Sequence, residues 1–339
     1  MADKKSSGND VGVAVSWSLN GVKAKIKSRL LSSADQWGST KLQEQNLQSE
    51  RHVELHQAGT RSLVKIFETA TKTLSAEISD NPALALRVLK AIERHTAAIE
   101  NIEGTLPFAF EEIRRSMTDE DVPDTGPDTL DQKFLDRYGT YAGQASDEVL
   151  REKWGRVLAS EIKKPGTFSL KTLRIIDELE PTTAQLFERL CEAKLGSSVP
   201  SILSSLSNHE IWELQEAGLV RTTEIGYHWS FGKGGTDADG RGSWICDFGT
   251  VYGIYVVIGP GLTIGNQLSD TLLKMHGEFP AIDIFSLTDV GISIASILPN
   301  RDREAILALK AAFTKAYPEV ELDIYQRDSD GKGGPLKAN

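Results

Sequence analysis

Residues 146–181 read SDEVLREKWGRVLASEIKKPGTFSLKTLRIIDELEP, two amphipathic helices meeting at one Pro-Gly break. Leu150, Trp154, Val157, Leu158 and Ile162 recur at three- and four-residue spacing, so the first helix carries one apolar face. Ser146 is placed to cap it, with Asp147 and Glu148 at its positive end. Pro165-Gly166 ends the helix, Ser169 is expected to cap the next one through Leu179, and Pro181 opens a third to about Leu195.

The same punctuation extends towards the N-terminus. Lys41 to Ser79 contains almost no helix breakers, and Leu63, Ile66, Phe67, Ala70, Leu74 and Ile78 form a near-heptad seam that predicts a long, self-associating helix. Asp80-Asn81-Pro82 stops it and starts another, expected to run to about Glu103 with Leu84, Val88, Ile92, Ile99 and Ile102 on one stripe. Val15, Leu19, Val22, Ile26 and Leu30 mark a further amphipathic helix, with Lys23, Lys25, Lys27 and Arg29 on its other faces. Packing on the rest of the protein is its plainer use, and contact of residues 15–31 with a membrane surface is the functional alternative.

Beyond Gly196 the texture changes to Ser, Gly and aromatic residues. His209 to Ala217 reads as a helix, His228 to Phe231 and Trp244 to Ile258 as strands flanking GKGGTDADGRG, and Ile282 to Phe285 as another strand. Two helices follow, and Val320, Leu322 and Ile324 alternate with acids as a final edge strand. The expected fold class is mainly α, with long N-terminal helices, a helical signature domain and a small C-terminal α+β module of winged-helix type. The divisions are 1–40 for the N-terminal amphipathic segment, 41–117 for the long helical region and 118–131 for an acidic linker. After them come 132–196 for the signature domain, 197–327 for the α+β module and 328–339 for a disordered tail.

With 339 residues the chain can bury a sizeable core. A net charge of −10 disfavours broad capture of nucleic acid, because phosphate contacts need clustered Lys and Arg. No run is apolar enough to span a bilayer, and the start lacks a small-residue cleavage site, so neither a membrane helix nor a signal peptide is expected. Cys191 and Cys246 stand far apart without a C-x-x-C pair, which points to a reducing cytoplasm rather than to disulfides or thiolate zinc.

Trp154 to Leu173, WGRVLASEIKKPGTFSLKTL, resembles the signature of a bacterial family catalogued as domain of unknown function 2806. In that family a Trp-initiated helix ends in an acid, basic residues and Pro-Gly, and Ser-Leu-basic-Thr-Leu opens the next helix. Trp154, Leu158, Glu161, Pro165, Gly166, Ser169, Thr172 and Leu173 carry the likeness, with Gly155 and Ser160 replacing the family's usual Ala and Gly. Ala98 to Ile102 and Phe285 to Gly291 are also similar, so the likeness runs over roughly residues 85–298. The same helix pair resembles a family linked to abortive infection, in which bacteria sacrifice infected cells to block phage. Those likenesses imply a helical defence or regulatory protein and no known reaction.

The residues themselves bring no catalytic constellation into view. His52 and His56 lie four apart on the expected long helix, where a shared metal is conceivable but H-V-E-L-H is not the metalloprotease order. Gly232 to Thr236 lacks the phosphate-loop order, and Asp237 to Gly240 holds only part of a calcium loop. Cys191 and Cys246 read as small core residues, and His209 beside Glu210 as a surface pair. Arg156, Lys163, Lys164 and Lys171 form a basic concentration around the Pro-Gly break. It offers either an anion seat or charge pairing with Glu152, Glu161 and Asp177. The expectation is therefore a cytoplasmic, non-enzymatic interaction or sensor protein of antiphage defence, without cofactor, with a protein partner and self-association. A nucleic-acid-binding regulator and an effector enzyme of unrecognised type are the competing classes.

Overall fold

The computed structural model describes residues 24–37, 82–116, 126–221, 226–236, 242–249, 254–259, 262, 272–327 and 333–335. The seam at Leu63 to Ile78, the His52 and His56 pair and the Asp237 to Gly240 loop lie outside these residues. The chain divides into two compact units, Met1–Leu170 and Lys171–Asn339. The expected signature domain, residues 132–196, straddles that division.

Four helices build the first unit: α1 (Ala24–Gln36), α2 (Pro82–Ser116), α3 (Gln132–Ala142) and α4 (Glu148–Lys163). Helix α2 passes the expected end at Glu103 and continues through Pro107. The helix-ending rule yields there because the apolar face persists: Ile102, Leu106, Ala109, Phe110 and Ile113 are all buried. Asp131 caps α3 by accepting from Lys133 and Phe134 N–H. Asp147, rather than Ser146, caps α4 through Leu150 N–H. Helices α2 and α4 pack most closely, and Gly155 is the reason. A Cβ there would lie 2.5 Å from Phe108 Cβ and 2.7 Å from the Thr105 carbonyl oxygen.

Arg29, read from the sequence as one of the bases off the apolar stripe, is fully buried on α1 beside Ile26 and Leu30. Its guanidinium donates to the carbonyls of Pro127 at 2.6 Å and Ile162 at 2.8 Å. Ile162 is in the last turn of α4, where carbonyls lack helical partners and a cation is favoured. No described helix is long and apolar enough to cross a membrane.

The second unit corrects the fold class from mainly α to mixed α+β. Helices α5 (Leu170–Glu178), α6 (Pro181–Cys191), α7 (Asn208–Glu216), α8 (Asp289–Ala295) and α9 (Asp302–Ala316) accompany two antiparallel sheets. The first sheet holds β1 (Ser198–Pro200), β7 (Phe279–Ser286) and β2 (Tyr227–Ser230) in that order, with β6 (Lys274–His276) also on β7. The second runs β3 (Gly232–Thr236), β4 (Gly242–Asp247), β5 (Ile254–Ile258), β8 (Leu322–Arg327) and β9 (Gly333–Pro335).

The expected wing is thus not one hairpin, since β2 belongs to one sheet and β3 to β5 to the other. A small winged-helix module gives way to a larger two-sheet core. Ile282 and Ile284 of the first sheet, Cys246, Val256 and Ile258 of the second, and Ile306, Leu309 and Phe313 of α9 form one buried cluster. The strand expected at the edge, β8, is interior, because Gly333–Pro335 from the tail pairs beside it.

Candidate functional site

The family-like residues from Trp154 to Ser169 lie along α4 and the turn after it in the first unit, and Thr172 and Leu173 belong to the second. Trp154 is buried in an aromatic nest, edge-on to Tyr138 at 5.7 Å and stacked on Tyr141 at 5.8 Å between ring centroids. Tyr138 Oη donates to the Trp154 carbonyl at 3.1 Å and shares a 2.8 Å hydrogen bond with Thr105 Oγ1. Burial pushes the Tyr138 hydroxyl well above its usual range, so it stays protonated. Leu158, Thr172 and Leu173 are likewise buried.

Glu161 has the most informative surroundings. Its side chain is buried, and its two oxygens accept the N–H of Gly166 at 2.6 Å and of Phe168 at 3.0 Å. The carboxylate therefore holds the Pro165-Gly166 turn closed, and Gly166 supplies the left-handed conformation at φ 87° that the turn needs. Desolvation raises the Glu161 pKa, the backbone donors counteract it, and the Asp131 charge adds to the rise. The charge-paired role foreseen for Glu161 is replaced by this backbone one.

An open groove of about 730 Å³ lies against the turn, wholly within the first unit. Pro127, Leu130, Phe134, Pro165, Phe168 and Leu170 supply its apolar wall. Thr129, Asp131, Gln132, Glu161 and Ser169 supply its polar lining. Arg29 positions the 126–131 side through Pro127, and Glu161 positions the other side through Gly166 and Phe168. Leu170 is 42% exposed, so the groove presents apolar surface to solvent.

The four basic candidates fall on both sides of the division between the two units. Arg156 pairs with Glu152 at 2.5 Å and Lys163 Nζ donates to Ser116 Oγ at 3.0 Å, so both have roles within the first unit. Lys164 is exposed after α4, and Lys171, also exposed, belongs to the second unit. Asn101 was legible only as part of the Ala98 to Ile102 likeness, yet it links three elements. Its amide donates to the Gly143 carbonyl and accepts from Arg151 Nη2, 2.9 and 2.8 Å. Arg151 was missed altogether, because its link to Asn101 spans 50 residues, and only its second bond, to the Ala145 carbonyl, is close in sequence.

In the second unit, burial pushes the thiols of Cys191 and Cys246 each up to about 12, so neither is a thiolate at neutral pH. His209 stacks on Trp212 at 6.0 Å, and Trp212 is 55% exposed on a helix that also bears Glu210, Glu213 and Glu216. Among the described residues no group of three or more His, Cys, Asp or Glu is arranged to hold a metal ion.

No curated protein and no solved structure matches the chain. A family match covers residues 86–215, which contain Asn101, Trp154, Glu161 and every wall of the groove, whereas Phe285 to Gly291 fall outside it. The family that those residues match is described as protein of unknown function (DUF2806).

Proposed function

We propose that this protein is a non-enzymatic interaction or sensing protein that docks a protein partner at the groove beside the Pro165-Gly166 turn. The observation that carries the reading is the groove itself. Family-matched residues brace it from inside, while Leu170 and Pro165 offer apolar surface at its mouth. A groove of this kind suits an apolar side chain from a partner, with Thr129 and Gln132 offering polar groups at the rim. The resemblance to abortive-infection proteins supports antiphage defence as the setting.

Leu170→Glu tests this in a phage challenge of bacteria expressing the full chain. The expected result is loss of protection with an unchanged melting temperature, since Leu170 is partly exposed. Full protection by the variant would remove the groove from the account.

A further inference from the structure

Strand β7 is flanked at Ala281 by Ser230 of β2 on one side and by Lys274 of β6 on the other. One of its faces, with Ile282 and Ile284, enters the core of the second unit, so Phe279, Ala281 and Asp283 point the opposite way by alternation. Register puts His228 directly across from Asp283 and His276 directly across from Phe279, which places both histidines on that outer face. Between those two levels stands the small Ala281, which leaves room above the strand. The imidazoles meet from the two flanking strands, with ring centroids 3.6 Å apart and planes 15° apart.

That spacing is the one a shared metal ion needs. Bonds of about 2.0–2.1 Å at a tetrahedral angle put two ligand nitrogens about 3.3 Å from each other. Both histidines are exposed, so their rings can turn to aim a lone pair each at one ion, and water can reach the remaining positions. On the same face Lys274 forms an ion pair with Asp283, which matches the charge of that carboxylate and leaves the two imidazoles as donors. Imidazole nitrogen suits zinc, nickel and copper ions, whereas calcium and magnesium take oxygen.

We propose that His228 and His276 form a surface site for a transition-metal ion such as zinc, held by one nitrogen from each ring and completed by water. The ion bridges β2 and β6 over β7 and so clips the first sheet together. It stabilises the folded second unit by mass action, because the unfolded chain does not hold the two histidines side by side. The site stands apart from the groove of the first unit and does not rest on that reading.

Calorimetric titration with zinc ion tests the pair in the full chain carrying His52→Gln and His56→Gln, which removes the other closely spaced histidines of the sequence. The expected result is one ion bound per chain. Adding His228→Gln or His276→Gln should weaken binding by roughly 100-fold or more, since each leaves a single ligand where two act together. Zinc should also raise the melting temperature of the parent and EDTA should reverse the rise, while neither substitution shifts melting in EDTA. Should a variant unfold there, the imidazole nitrogen chemical shifts of the parent decide, because zinc must move those of His228 and His276 together. No zinc binding, binding that persists through either substitution, or shifts confined to other histidines would overturn the proposal.

Discussion

Glu161 shows how backbone donors can hold a buried carboxylate. Two backbone N–H groups take the place of the counter-charge, and a carboxylate is the side chain with enough acceptor sites for both. Glu161→Gln leaves one donor facing an amide N–H, a loss of about 1–3 kcal/mol in denaturant unfolding. Burial raises the folded-state pKa above the unfolded one, so the fold favours the protonated form. That contribution is complete below the ordinary glutamate value of ~4.3 and is lost as pH rises through the raised one. Urea titrations across this range should show parental stability falling with pH, with a flatter profile for Glu161→Gln. A steeper fall in the variant would contradict the assignment. Trp154→Ala should cost about 3–5 kcal/mol, since it empties the nest formed with Tyr138 and Tyr141. Parent-like melting would show that the nest closes without the indole.

At the scale of elements, helix ends were legible wherever the signal was local. Pro82, Pro165-Gly166 and Pro181 sit at or beside the boundaries the structure shows, because proline and glycine act on their own backbone. What the sequence concealed was non-local. Arg29 reads as a solvated base on an amphipathic helix until the carbonyls of Pro127 and Ile162 are brought to it. Strands β3 and β9, GKGGT and GGP, have too little side-chain alternation to announce themselves, and β8 looks the same at an edge or between two neighbours. Those strands are what turned a mainly α expectation into an α+β fold. Gly155 was visible only as a departure from the family's usual Ala, and its reason is the close approach of α2. Gly155→Ala should cost about 1–3 kcal/mol by overpacking against Phe108 and Thr105. A variant as stable as the parent in thermal unfolding would mean that α2 and α4 separate easily.

At the scale of the whole molecule, the proposed partners are proteins rather than nucleic acid. The net charge of −10 opposes approach to a polyanion at low salt. Trp212 is exposed on α7 amid Glu210, Glu213 and Glu216, which suits contact with protein more than with phosphate. Of the bases within the GKGGTDADGRG segment, Lys233 is exposed on β3 and Arg241 lies outside the described residues. The most direct measurement is an electrophoretic mobility assay of the full chain with duplex DNA at low salt. The account predicts no shift at micromolar protein. Micromolar or tighter binding that disappears on Lys233→Glu plus Arg241→Glu would contradict it and make the second unit a nucleic-acid-binding module.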